Sequence, residues 1–149
     1  MIPLRKFEEF LKKGIIKKQS SNKNISNDLI SESERKFNSL KNILDKIGID
    51  DENANDIIEY CYDILIKLIR AKMLLQGFSS SGVGAHEAEV SYLRNLGFLE
   101  EDVNLMNQLR YFRNGIMYYG KRFDKKNAEK ILKFLRINYK KLMDLISKK

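Results

Sequence analysis

The chain has few of the residues that interrupt, cross-link or metallate a fold. Proline occurs once, at Pro3, so nothing later breaks a helix by removing a backbone donor. Cysteine occurs once, at Cys61, which excludes an internal disulfide and suits a reducing compartment. Histidine also occurs once, at His86. One histidine and one cysteine far apart in sequence cannot make a typical zinc site. No HExxH, GxSxG or EF-hand pattern is present, so neither a metal nor a cofactor is expected. No stretch approaches the roughly 20 apolar residues of a membrane span. The start, MIPLRKFEEF, lacks the apolar core of a signal peptide. The expectation is a soluble, cytoplasmic protein without a membrane partner. No stretch alternates as a strand does, and no internal repeat is visible.

What is present is helix-forming and charged. With 149 residues, 43% hydrophobic and 32% charged, the chain is long enough for one domain with its own core. The charge is uneven. Residues 1–50 carry 11 basic and 7 acidic groups, residues 51–101 carry 4 and 9, and residues 102–149 carry 13 and 4. The nets are +4, −5 and +9, within a total of +8. A basic segment beside an acidic one suggests a polyanion-binding face or a charge-complementary oligomer.

Residues 3–13 read as a short helix, with Pro3 in its first turn and Gly14 at its stop. Residues 15–26 form a polar connector. A long helix is expected over 28–47, capped by Ser26 or Asn27 and ended by Gly48. Its seam is Ile30, Ser33, Phe37, Leu40, Leu44 and Ile47, in 3-then-4 spacing. A second helix over 53–76 carries the widest apolar stripe and is the expected centre of the fold. Cys61 is then a small core residue. GFSSSGVGA, residues 77–85, is the one Gly/Ser-rich stretch. It has no Walker Lys-Ser/Thr and no strand before it, so it reads as a flexible loop. A short helix over 85–96 follows, with His86 at its start. A helix N-terminus disfavours the imidazolium, so His86 is either a neutral base or a capping group. The last helix starts after Asp124 and runs to about 146. The sum is an all-α, up-down bundle of four to five main helices: a short N-terminal helix and connector over 1–24, then the bundle over 25–146.

The most informative stretch is LRYFRNGIMYYG, residues 109–120, in a helix expected from about 100 to 118. Arg110, Arg113 and Asn114 are spaced i, i+3 and i+4, so they share a face. Tyr111 and Tyr118 join its edge, while Leu109, Phe112, Ile116 and Tyr119 lie on the other side. Gly115 costs about 1 kcal/mol against alanine in a helix. It implies a close helix contact or a site needing backbone access. Lys121 and Arg122 follow directly, and a single basic patch of Arg110, Arg113, Lys121 and Arg122 is expected to bind phosphate.

A helical bundle whose penultimate helix carries Arg-Asn-x-x-x-His resembles the HEPN superfamily. The same frame reads Arg113-Asn114-Gly115-Ile116-Met117-Tyr118 here. The resemblance covers roughly residues 25–146 and is similar to archaeal members with an RNG-x-x-YYG signature. It implies a dimer with two such motifs at the interface, and for many members a metal-independent ribonuclease. Arg113 would hold the scissile phosphate and Asn114 would orient it. The motif histidine is replaced by Tyr118. A tyrosine, with a reference pKa of about 10, is a poor base near neutral pH. Either the site binds RNA or a nucleotide without cutting, or His86 takes the proton-transfer role. The resemblance also admits an accessory subunit of a minimal nucleotidyltransferase, in a toxin–antitoxin-like pairing. A helical oligomer without a nucleic-acid ligand is the third class.

Overall fold

A computed structural model describes residues 3–148. Among them the chain forms α1 (Phe7–Lys12), β1 (Ile16–Lys18), α2 (Lys23–Lys46), α3 (Ala54–Leu75), β2 (Phe78–Ser80), α4 (Ala85–Asn95), α5 (Glu100–Tyr119) and α6 (Lys125–Ser147). The fold is an all-α bundle of four long helices and two short ones, with one small two-stranded antiparallel sheet whose strands are separated in the chain by α2 and α3. No helix among the described residues is long and apolar enough to cross a membrane.

α3 is the centre, touched by α2, α4, α5 and α6. Its side chains are buried on almost every side, from Ala54 to Leu74. α2 packs along it with small residues at the seam. Ser33 Oγ donates to the Ile64 carbonyl at 2.9 Å, and Ser26 Oγ donates to the Ala71 carbonyl at 2.9 Å. Both hydroxyls are buried and satisfied, which lets the two backbones approach. Cys61 is fully buried, and burial pushes its thiol up, away from the reactive thiolate. α6 closes the other side behind a capping box: Asp124 Oδ1 accepts from Asn127 N at 2.9 Å, and Asn127 Oδ1 accepts from Asp124 N at 3.1 Å. Near its far end, the Lys72 ammonium donates to the Leu145 carbonyl at 2.8 Å. A cation there complements the negative end of the helix dipole.

Several expected boundaries move. α1 starts at Phe7, not Pro3, because Arg94 holds the preceding backbone extended by donating to the carbonyls of Leu4 and Arg5. α2 starts at Lys23, five residues early, because Asn22 caps it by accepting from Ile25 N at 3.1 Å. Ser26 therefore sits inside the helix and faces α3 instead of capping. Ile47, expected in the seam, is 69% exposed beyond the last turn. Tyr119, expected on the apolar side of its helix, is 79% exposed because α5 ends there, clear of its neighbours.

The largest difference is at residues 77–85. β2 pairs antiparallel with β1, in the register Ile16↔Ser80, Lys17↔Ser79 and Lys18↔Phe78. The flanking bonds Gln19 N to Gly77 O (2.8 Å) and Ser81 N to Ile15 O (3.0 Å) extend the ladder. Gly77 has φ +85°, and a Cβ there would lie 2.7 Å from the Gln19 carbonyl oxygen, so only glycine fits. The segment ahead of His86 is thus tied to the N-terminal arm. Phe7 packs against Phe78 and Tyr92 in the same corner.

Candidate functional site

Three helices meet around the ring of Tyr62. It comes from α3 and is buried, at 1% exposure. His86, in the first turn of α4, sets Nδ1 3.2 Å from the Tyr62 hydroxyl. Arg113 of α5 lays its guanidinium over the face of the same ring, Cζ 5.4 Å from the centroid, a cation–π contact. Arg110, one turn back on α5, donates from Nε to Asn107 Oδ1 at 3.0 Å and lies over the Tyr111 ring at 4.8 Å. Asn107 is itself buried, which fixes the base of that arginine.

Behind His86 stands a buried carboxylate. Glu89, 1% exposed, accepts from Arg70 Nε at 2.5 Å, from Arg70 Nη2 at 3.0 Å and from Ser80 Oγ at 2.9 Å. Its Oε1 is 3.6 Å from His86 Nδ1. A buried charge needs such partners, and Glu89 has them. The first turn of α4 is also clamped from outside: Arg5 donates to both oxygens of Glu87. Burial alone would push Glu87 up, but the Arg5 bonds and charge outweigh it and hold the carboxyl low.

The electrostatics favour a neutral imidazole. Burial lowers the His86 pKa first; Arg70, Arg113 and Arg110 add to that, against the opposing charge of Glu89. The Tyr62 phenol is pushed up, by burial first and by Glu89 second, so it stays protonated. Glu59 of α3 is held above the usual carboxylate value by partial burial and by Asp56 and Asp63, with Arg113 opposing.

The expected site residues divide into three groups. Arg113 and His86 converge on Tyr62, and Arg110 stands one turn back on α5 against Asn107 and Tyr111. Asn114 is half-buried, and Tyr118 lies on the open side of α5. Tyr118 is 68% exposed and about 140° around the helix from Arg113, at roughly 100° per residue. Neither side chain has a hydrogen-bond partner among the described residues. Lys121 and Arg122 do not join the arginines, contrary to the expected single patch. The Lys121 stem runs over Gly115, 3.0 Å from where a Cβ would be, about 200° around α5 from Arg113. The close contact implied by Gly115 is therefore with the chain just beyond its own helix. Arg122 donates to the carbonyls of Asp51 and Glu52, before α3. Asn55 ties this segment down through Lys121 O at 2.8 Å and Phe123 N at 2.9 Å.

Sequence reasoning missed Tyr62, Arg70, Glu89 and Asn107. One signal was available: a tyrosine inside a stripe of isoleucines and leucines needs a partner for its hydroxyl. Among the described residues, no group of three or more His, Cys, Asp or Glu could hold a metal ion. A groove of about 780 Å³ lies elsewhere, between the end of α2 and α6, and its lining includes Leu44, Ile49, Leu132 and Ile137. His86 and Arg113 lie on a half-buried surface instead. Comparison of the chain with family models, with curated proteins and with solved structures gave no match.

Proposed function

We propose that the Tyr62 face binds the phosphate backbone of RNA, or the phosphate of a nucleotide, in a HEPN-like protein. One observation carries this reading. Arg113 has no hydrogen bond or ion pair among the described residues, yet it is held half-buried over an aromatic ring beside Arg110. Arg5, Arg70 and Arg94 by contrast each face a carboxylate. A guanidinium kept in place with no carboxylate in ion-pair contact is poised for an external anion, and its planar fork suits phosphate. The test is binding of single-stranded RNA at several salt concentrations. Affinity should fall steeply with salt, because counterions are released on contact. Arg113→Ala should weaken it at least tenfold. Binding that is absent at low salt, or equal in the variant, refutes the reading and leaves a helical oligomer without a nucleic-acid ligand.

A second reading, metal-independent cleavage, is favoured by the position of His86. It is the one imidazole of the chain and lies in the field of both arginines. Incubation with total RNA in chelator should then give cleavage that His86→Gln removes without loss of binding. Intact RNA in the wild-type reaction limits the protein to binding, and co-purification with a nucleotidyltransferase would make it that enzyme's accessory subunit. We also propose a two-fold dimer through the end of α5. Met117, Tyr118 and Tyr119 are exposed there, more apolar surface than an isolated helix end usually shows. A monomer by light scattering at micromolar concentration refutes that assembly.

A further inference from the structure

The ring of His86 has two unlike sides. Nδ1 points inward, to the Tyr62 hydroxyl at 3.2 Å and Glu89 Oε1 at 3.6 Å. Nε2 makes no hydrogen bond among the described residues, and half of the side chain's surface is open to solvent. Which nitrogen carries the proton decides what this surface can do.

Tyr62 answers that question. Its hydroxyl is buried, and His86 Nδ1 is its one hydrogen-bond partner among the described residues. A buried hydroxyl proton without an acceptor is costly, so it goes to Nδ1. Glu89 pulls the other way, since a carboxylate favours a proton on the facing nitrogen. Its oxygens, however, already accept from Arg70 twice and from Ser80. At 3.6 Å it is beyond hydrogen-bond range of Nδ1, so the shorter Tyr62 contact prevails. With Nδ1 accepting, the neutral ring carries its proton on Nε2.

We infer that Tyr62 fixes His86 as the Nε2–H tautomer, so that Nε2–H and Arg113, with Arg110 one turn away on α5, form a donor-only cradle for one phosphate group. The ligand class rests on the function proposed above; the tautomer does not. Every group of the cradle donates. Such a set receives an anion rich in acceptor oxygens and repels a cation. Tyr62 is a positioning residue here, acting through the histidine. His86 in its resting state is then a proton donor toward the ligand and not a base. The charged groups facing the ring are Arg70 of α3, Glu89 of α4, and Arg110 and Arg113 of α5. A bound phosphate adds negative charge beside this set, so it should raise the pKa of the ring.

Because His86 is the single histidine, long-range ¹⁵N NMR of the full chain shows one imidazole. The expected wild-type spectrum has Nε2 protonated and Nδ1 unprotonated, with a slowly exchanging Tyr62 hydroxyl proton coupled to Nδ1. In Tyr62→Phe the carboxylate of Glu89 is left as the nearest polar group, and the proton should move toward Nδ1. Inorganic phosphate should raise the pKa of His86 in the wild type and not in Arg113→Ala. A proton on Nδ1 in the wild type overturns the inference, as does a Tyr62→Phe spectrum with the wild-type tautomer. If Tyr62→Phe does not fold, the hydroxyl coupling in the wild type decides: its absence overturns the inference. A pKa insensitive to phosphate overturns the cradle. Loss of RNA binding with the tautomer intact strikes the proposed function instead.

Discussion

Both α5 and α6 draw on the basic segment 102–149, but α6 spreads lysines along an open face while α5 sets two arginines against aromatic rings. Lys126, Lys130, Lys133, Lys140 and Lys141 are all exposed. The one ion pair of α6 among the described residues, Lys125 to Glu129, spans 4.0 Å between exposed side chains and contributes little. Arg110 and Arg113 are fewer, but each has its position fixed by a ring, and Arg110 also by Asn107. Flexible lysines must lose side-chain entropy on meeting a ligand, whereas the arginines have lost much of theirs on folding. Charge in quantity and charge in fixed geometry are therefore separate properties, and in this chain they sit on separate helices.

The largest effect should come from the wall beneath the arginine site. Glu89→Ala leaves Arg70 facing a hole at a buried position and should cost about 3 kcal/mol, the lower end for a broken buried pair because Arg70 keeps a third of its exposure. Lys130→Ala on α6 should stay within about 0.5 kcal/mol. Urea unfolding of both variants measures this, and similar losses would erase the distinction between the two helices.

Next in size is RNA affinity. Arg113→Ala should lose about 1.5–3 kcal/mol of binding, the range for a hydrogen bond to a charged group. Lys133→Ala should lose about twofold and reduce the salt slope by at most about 1. A greater loss in Lys133→Ala would make α6 the primary polyanion surface.

A smaller effect is expected with pH. The folded His86 pKa lies below its ordinary 6.5, so folding favours the neutral ring. The stability this contributes is complete above about 6.5 and is lost as pH falls through the folded value. Glu32, Glu87 and Glu100 are held low, so their losses come below the ordinary carboxylate value of 4.5. As pH falls below 6.5, wild-type stability should fall faster than that of His86→Gln. Equal slopes would mean that the ring is no more buried than an exposed α6 side chain.

The smallest effect concerns Gly115. A Cβ there meets only the flexible stem of Lys121, at 3.0 Å, and the residue is helical with no left-handed backbone. Gly115→Ala should stabilise α5 by somewhat less than about 1 kcal/mol of helix propensity. Destabilisation in a thermal melt would show that Lys121 cannot move aside, and so that α5, unlike α6, holds even its lysine rigidly.

Much of the fold was legible because helix signals are local. The 3-then-4 spacing of Phe37, Leu40 and Leu44, the cap at Asp124, and the left-handed glycines 48, 77, 97 and 120 that follow helices are read within one or two turns. The same signals misplaced the start of α2, since Asn22 and Ser26 are both plausible caps and only the approach of α3 puts Ser26 inside. The pair Arg110 and Arg113 was legible for the same local reason.

The sequence by itself determined the helices, their order and the basic character of the last third, because these depend on residues a few positions apart. The tertiary structure alone decided which of those charges work together. Tyr62 and His86 are 24 positions apart, and β1 and β2 are three residues each, too short for any alternation to show. Their pairing arises only when α3 brings its buried phenol under α4 and α5. A hydroxyl that must find an acceptor, and a carboxylate that must find its cations, then fix the site.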